Sequence, residues 1–248
     1  KRNDGRTGWR PTEVVPSHLQ LFQRVRKTRK VDVQWPGDEK VSWDELAQEL
    51  ALLDQVICIV NLKRHAGELF AKMRELNLGG LFHISTNMCP AHRKFVLDTA
   101  RQLLKAKRGV CRLISTQCIE AGVDIDSPNL YRAFADLVSI AQAAGRCNRN
   151  GETDTGIVKV FRPVEEAYPD SAYEQAARVT DSLLKELGAN LDINDPSVYQ
   201  RYYESLYALT GIHDQGRAKK LKDAIINLAD FPQVASLYKL ITGDTINV

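Results

Sequence analysis

From Trp43 onward the chain alternates short, wholly apolar runs with longer amphipathic stretches. Val56-Ile57-Cys58-Ile59-Val60 has no polar position, which is the mark of a strand covered on both faces. His65 to Leu76 then shows helical spacing and stops at Gly79-Gly80. The same reading predicts a strand over Leu81 to Ile84, a helix from about Pro90-Ala91 to Leu104, and strands over Val110 to Ser115 and Leu130 to Phe134. A helix from Ile140 to about Cys147 and a last strand over Ile157 to Phe161 complete the series. Strands separated by helices of this length imply an α/β fold, a parallel sheet with helices on both faces.

The flanks read differently. Residues 1–45 hold Pro11, Pro16, Pro36 and several glycines without a sustained period, which suits a basic connector or irregular flank. The sheet domain is expected over 46–163. Beyond Pro163 helical periodicity returns at Ala172 to Leu187, Val198 to Leu209 and Ala218 to Leu228 with no convincing strand, so 164–248 reads as a small helical C-terminal appendage. There is no internal repeat and no low-complexity tract.

Composition narrows the classes. A chain of 248 residues with 44% apolar positions has enough to bury an ordinary core, which excludes disorder and collagen. No run approaches the ~18 apolar residues of a membrane span, and Lys1-Arg2-Asn3-Asp4-Gly5 lacks the apolar core of a signal peptide. A cytoplasmic protein without membrane contact is expected. The five cysteines are an odd number, sit mostly inside apolar runs and form no C-x-x-C pair, so they read as reduced core thiols. The net charge is only +3, but residues 1–30 alone carry +7. The cluster Arg24, Arg26, Lys27, Arg29 and Lys30 could track phosphates; a solvated linker is the plainer reading.

Two segments could carry chemistry. Ser115-Thr116-Gln117-Cys118-Ile119-Glu120-Ala121-Gly122-Val123-Asp124-Ile125-Asp126 follows a buried strand, at the sheet edge where α/β folds bind ligands. Thr116 could donate to a phosphate and Gly122 could let a backbone approach closely. Gln142-Ala143-Ala144-Gly145-Arg146-Cys147-Asn148-Arg149-Asn150-Gly151 places two arginines at i, i+3, a spacing that puts both on one face if the segment is helical. Arginine keeps its charge and grips oxyanions in a fork, as a developing phosphoryl charge requires. Either segment alone is also compatible with a polar turn and a solvated arginine pair.

Together, in this order, they resemble superfamily 2 helicases: Thr116 to Asp124 is similar to motif V, and Gln142 to Arg149 to motif VI, Q-x-x-G-R-x-x-R. Ile57 to Asn61 resembles motif IV. More closely, His83 to Arg93, Ser115 to Asp126 and Ser139 to Arg149 resemble the CRISPR-associated helicase-nuclease of type I systems, subtype I-C most of all, over about residues 50–165. The resemblance implies the second RecA-like lobe of an ATP-dependent single-stranded DNA helicase. Its motif VI arginines, Arg146 and Arg149, would be the catalytic pair. Gly122, Asp124 and Gln142, with the two arginines, would meet ATP, whose magnesium is held mainly by the first lobe. Asn61, Lys63, Ser85, Arg93 and Thr116 would meet the tracking strand. Implied partners are single-stranded DNA, a first RecA-like lobe and HD nuclease domain of the same parent, and the RNA-guided surveillance complex. Ala143 departs from the superfamily, where an arginine often follows the first motif VI residue.

No G-x-x-x-x-G-K-[ST] occurs in the chain, so the phosphate cradle of a P-loop is missing and this stretch alone is expected to be inactive. Asp44-Glu45-Leu46-Ala47 is not an acidic helicase box, because it follows Val41-Ser42-Trp43 rather than a buried strand; it reads as the first turn of a helix capped by Ser42. His213-Asp214 is an isolated dipeptide, and Cys89 with His92 lack two further ligands, so no metal site is expected. Two other readings stay open: the equivalent lobe of another superfamily 2 DNA or RNA helicase, and a separately produced lobe acting as a non-catalytic binding module. The genomic sequence directly upstream of Lys1 separates the last from the first.

Overall fold

A computed structural model describes residues 24, 30–106, 109–210 and 217–238. Arg26, Lys27 and Arg29 of the basic cluster, and His213-Asp214, lie outside them. Six strands form one wholly parallel sheet in the order β1-β6-β5-β2-β4-β3: β1 Val31–Gln34, β2 Gln55–Ile59, β3 Leu81–Ile84, β4 Cys111–Ser115, β5 Asn129–Ala133 and β6 Gly156–Phe161. The helices are α1 Trp43–Ala51, α2 Lys63–Glu75, α3 Pro90–Lys105, α4 Leu137–Ala144, α5 Ser171–Leu187, α6 Pro196–Thr210, α7 Arg217–Asp223 and α8 Phe231–Leu237. This is the expected α/β architecture. Among the described residues no helix is long and apolar enough to cross a membrane.

The two-residue period of β2 divides the core. Val56, Cys58 and Val60 join Leu46 and Leu50 of α1 and Ala66, Leu69 and Met73 of α2 in one apolar cluster. Ile57 and Ile59 join Val96, Ala100 and Leu104 of α3, Ile140 and Ala143 of α4 and Ala177 of α5 in the other. Both faces are therefore covered, and truncating a fully buried residue such as Leu69 to alanine costs about 2–5 kcal/mol. Helix starts follow their side chains. Ser42 and Glu45 form a reciprocal capping box on α1, Asp136 accepts from the Ser139 amide at the start of α4, and Asp170 does the same for Tyr173 in α5.

Four expectations need correction. Residues 31–34, placed in the connector, form edge strand β1 paired with β6, because the Val31 and Val33 side chains pack on the core while Asp32 faces out. Helix α5, assigned to the appendage, packs on the sheet through Ala177. The chain divides into two compact units at 199/200 rather than at 163/164. The second unit holds the rest of α6, α7, a π-helical turn over Ala224–Leu228, and α8.

The fourth correction bears on the chemistry. Helix α4 ends at Ala144 instead of continuing to Cys147, with Gly145 as its cap. An isolated parallel bridge between Ser127 and Cys147 draws the chain off the helix axis: the Ser127 amide donates to the Arg146 carbonyl at 3.1 Å and the Asn148 amide to the Ser127 carbonyl at 3.0 Å. Asn148 then adopts a left-handed φ of 46°, a conformation asparagine tolerates better than most residues. Arg146 and Arg149 thus lie in a loop, not on one face of a helix.

Candidate functional site

Adjacent strands β5 and β2 send the chain in opposite directions, β5 toward β6 and β2 toward β3, and this opens a crevice at their C-terminal ends. Asn61, just past β2, closes its floor: its Nδ2 donates to the Phe134 carbonyl at 2.8 Å, and it is 4% exposed. Beside it lies a concave surface of about 730 Å³ lined by residues that include Asn61, Lys63, Arg64, Thr86, Thr116 and Gln117. These lie in the segments that directly follow β2, β3 and β4, Lys63 and Arg64 in the first turn of α2, so parallel strands deliver basic and hydroxyl side chains to one edge.

Of the five residues expected to meet nucleic acid, three line this concavity. Lys63 donates to Asn87 Oδ1 at 2.8 Å, and Thr116 is nearly buried at the cavity wall. Asn61 is there too, but its amide is engaged inside the protein. Ser85 is buried with its Oγ 3.1 Å from His83 Nε2, and Arg93 is half-exposed in the first turn of α3; neither lines the cavity.

The second group gathers motif V and motif VI. Asp124 Oδ1 pairs with Arg149 Nη1 at 2.8 Å, and both side chains are largely exposed. Asp126 accepts from the amides of Arg149 at 2.8 Å and Asn150 at 2.9 Å, which fixes the loop's backbone. Arg146 donates through Nε and Nη2 to the Glu120 carbonyl at 3.2 and 2.7 Å. Burial and the neighbouring Arg149 charge lower the pKa of Arg146, with Asp124 opposing; the group remains a cation. Gly122 sits at φ +70°, where an L side chain is strained. Gln142 is exposed on α4.

Sequence reasoning missed three residues that hold this arrangement. Arg132 in β5 is completely buried, with Nη1 donating to Asn61 Oδ1 at 2.7 Å and to the Ala133 carbonyl at 2.9 Å, and Nη2 donating to the Tyr173 hydroxyl at 2.8 Å. Its Nε lies 2.8 Å from Glu120 Oε1 in an ionic contact off the line of a good hydrogen bond. Burial pushes the Glu120 carboxyl up to about 7; Arg132 pulls the other way and Asp136 adds to the rise. The available signal was a lone arginine inside the apolar run Leu130 to Phe134.

Comparison with known proteins bears on what this geometry is. Residues 53–152 match the family model described as CRISPR-associated nuclease/helicase Cas3, C-terminal. A CRISPR-associated nuclease/helicase Cas3 of Haloferax volcanii is 60% identical over 40 residues, 16% of this chain and 4% of that protein. Among solved structures, T. fusca Cas3 with ATP has a TM-score of 0.58 at 17% identity, covering 84% of this chain and 26% of its own. A chain of a CRISPR RNA-guided surveillance complex, pre-nicking, has a TM-score of 0.56 at 17% identity, covering 84% of this chain and 28% of its own. The solved structures share the RecA-like fold. The segments that carried the resemblance lie within residues 53–152, where the chain is similar to the C-terminal part of CRISPR-associated nuclease/helicases, and the chain spans about a quarter of the length of the solved chains it matches.

Proposed function

Taking that likeness as the premise, we propose that this chain is the second lobe of an ATP-dependent, single-stranded DNA translocating helicase that works with a first, P-loop-bearing lobe and an HD nuclease in type I CRISPR interference. One observation carries the reading: motif V and motif VI meet in a loop whose two guanidiniums keep donors to spare. Arg146 spends Nε and Nη2 on the Glu120 carbonyl, and no bond from Nη1 is found among the described residues. Arg149 is 40% exposed and paired with a carboxylate that is itself 78% exposed, so an incoming phosphate can exchange for Asp124 at little cost.

ATP, held mainly by the first lobe, supplies the phosphoryl group whose transfer drives the cycle; the ATP named in the T. fusca Cas3 structure supports this assignment. Arg146 and Arg149 would balance negative charge as it builds on the departing phosphate. Lys63 and Thr116, past the C-terminal ends of β2 and β4, would hold strand phosphates, a contact without base readout. Recruitment by an RNA-guided surveillance complex belongs to the same proposal, and the likeness to a chain of such a complex supports it.

The test uses the longer parent carrying both lobes. Arg146→Ala or Arg149→Ala is expected to lower DNA-stimulated ATP hydrolysis by about 10³–10⁵, the usual worth of such an arginine, while single-stranded DNA binding survives. Wild-type turnover in both variants would refute the helicase-lobe reading.

A further inference from the structure

Arg132 presents a puzzle that the proposed function leaves unanswered. Its guanidinium is wholly buried, and it reaches four parts of the chain: Asn61 after β2, Glu120 in motif V, the Ala133 carbonyl in β5 and Tyr173 in α5. Desolvating an arginine and a carboxylate offsets most of their attraction, so a well-packed apolar pair is often as stable. Stability is therefore a poor reason for the arrangement. What a multidentate guanidinium does provide is orientation, since a planar fork with four partners has one placement that serves them all.

That orientation is passed on through Glu120. The carboxylate of Glu120 rests on Arg132, and the carbonyl of the same residue receives both Nε and Nη2 of Arg146. Glu120 follows the 3-10 turn Gln117–Ile119. That turn is tied to the β2 loop, because Gln117 Nε2 donates to the Asn61 carbonyl at 3.0 Å. Rotation of the Glu120 peptide would swing the carbonyl away and release Arg146. The side chain of Glu120, 4% exposed, is what the fold uses to prevent that rotation.

We propose that Arg132 is a positioning residue: acting through the Glu120 carboxylate, it holds the Glu120 carbonyl, and hence the Arg146 guanidinium, in the geometry that phosphoryl transfer needs. Asn61 and Tyr173 complete the clamp, so the loop after β2 and helix α5 both bear on where Arg146 sits. The proposal rests on the reading of Arg146 as a residue that meets ATP.

The experiment measures single-stranded DNA-stimulated ATP hydrolysis, DNA affinity and thermal melting in the full-length parent. The variants are Arg132→Met, the paired Glu120→Met/Arg132→Met, Arg146→Ala, and the combination Arg132→Met/Arg146→Ala. Arg132→Met is expected to lower kcat by roughly 10- to 100-fold, the scale of a misplaced catalytic group, with KM for ATP and DNA affinity within about two-fold. Adding it to Arg146→Ala should produce no further loss, because its effect runs through that side chain. The paired variant leaves no unmatched buried charge, so it gives the same kcat reading should Arg132→Met fail to fold. Near-normal kcat in a folded Arg132 variant, with Arg146→Ala impaired, would overturn the positioning role alone. So would losses that multiply in the combination. Wild-type turnover of Arg146→Ala would remove both the role and the reading beneath it.

Discussion

Gly156→Ala should disturb the motif VI loop from outside it. Gly156 opens β6, and its amide donates to the Lys30 carbonyl at 2.9 Å. A methyl built there would lie 2.6 Å from Asn148 Cβ and 2.7 Å from Cys147 Sγ, whereas carbon atoms pack at about 3.5–4.0 Å. Neither neighbour is free to yield. Cys147 is wholly buried, and Asn148 is 2% exposed. The Asn148 side chain donates to the Lys30 and Thr153 carbonyls at 3.1 and 2.9 Å and accepts from the Thr153 amide at 3.1 Å. Roughly an ångström of overlap against a fixed wall is ordinary overpacking, about 1–3 kcal/mol. In a unit of this size that lowers the melting temperature by about 2–4 °C for each kcal/mol, or about 2–12 °C in all. Because the displaced atoms stand between Arg146 and Arg149, ATP hydrolysis by the parent should fall further than stability explains. Gly79→Ala is the control, with nothing within 4 Å of its added methyl. Melting of the 248-residue chain and turnover of the parent give both readings. A Gly156→Ala protein that melts with Gly79→Ala and turns over normally would refute the reasoning.

The chain on its own should show no DNA-stimulated ATP hydrolysis, because its sequence has no P-loop; turnover above a mock preparation would contradict this. Single-stranded DNA should bind weakly and electrostatically: with about three phosphates neutralised, affinity falls roughly twenty-fold between about 50 and 200 mM salt, and a flat titration would argue against phosphate contacts. Stability should depend on His65, which is 1% exposed against the Trp43 ring, with neither ring nitrogen hydrogen-bonded among the described residues. Burial first, and the Arg64 charge second, hold its pKa below the ordinary value. The unfolded chain therefore binds the proton more readily, and stability is lost as pH falls below about 6.5, by at most about 1.4 kcal/mol per pH unit. Glu120, with its pKa pushed up, contributes the opposite slope between its ordinary value and about 7. The His65 part is isolated by comparing urea midpoints of wild type and His65→Leu at pH 7.5 and 5.5; the variant should lose less on acidification, and equal losses would count against the assignment.

Local pattern was enough for most of the elements, because a strand buried on both faces must be apolar throughout and a helix against a sheet must repeat at 3.6. β2 to β5, α2 and α3 lie within a residue or two of where that pattern puts them. The α1 cap was legible too, since Ser42 and Glu45 satisfy each other within one turn. Motifs V and VI were recognisable as strings, and that Thr116 and Lys63 share one concavity follows from parallel strands ending at one edge.

What the tertiary structure decided concerns contacts between distant segments. The i, i+3 spacing of Arg146 and Arg149 suggested a helical face, but Ser127, many residues earlier, bridges Cys147 and peels the chain off α4. Val31–Gln34 became a strand because β6 offered an open edge, which no local period announces. Asn61 read as a phosphate contact, yet Arg132 and the Phe134 carbonyl absorb its side chain. A side chain's partners are set by which strands become neighbours, and the order β1-β6-β5-β2-β4-β3 arises from long-range packing, so the apolar period marks what is buried and leaves open against what.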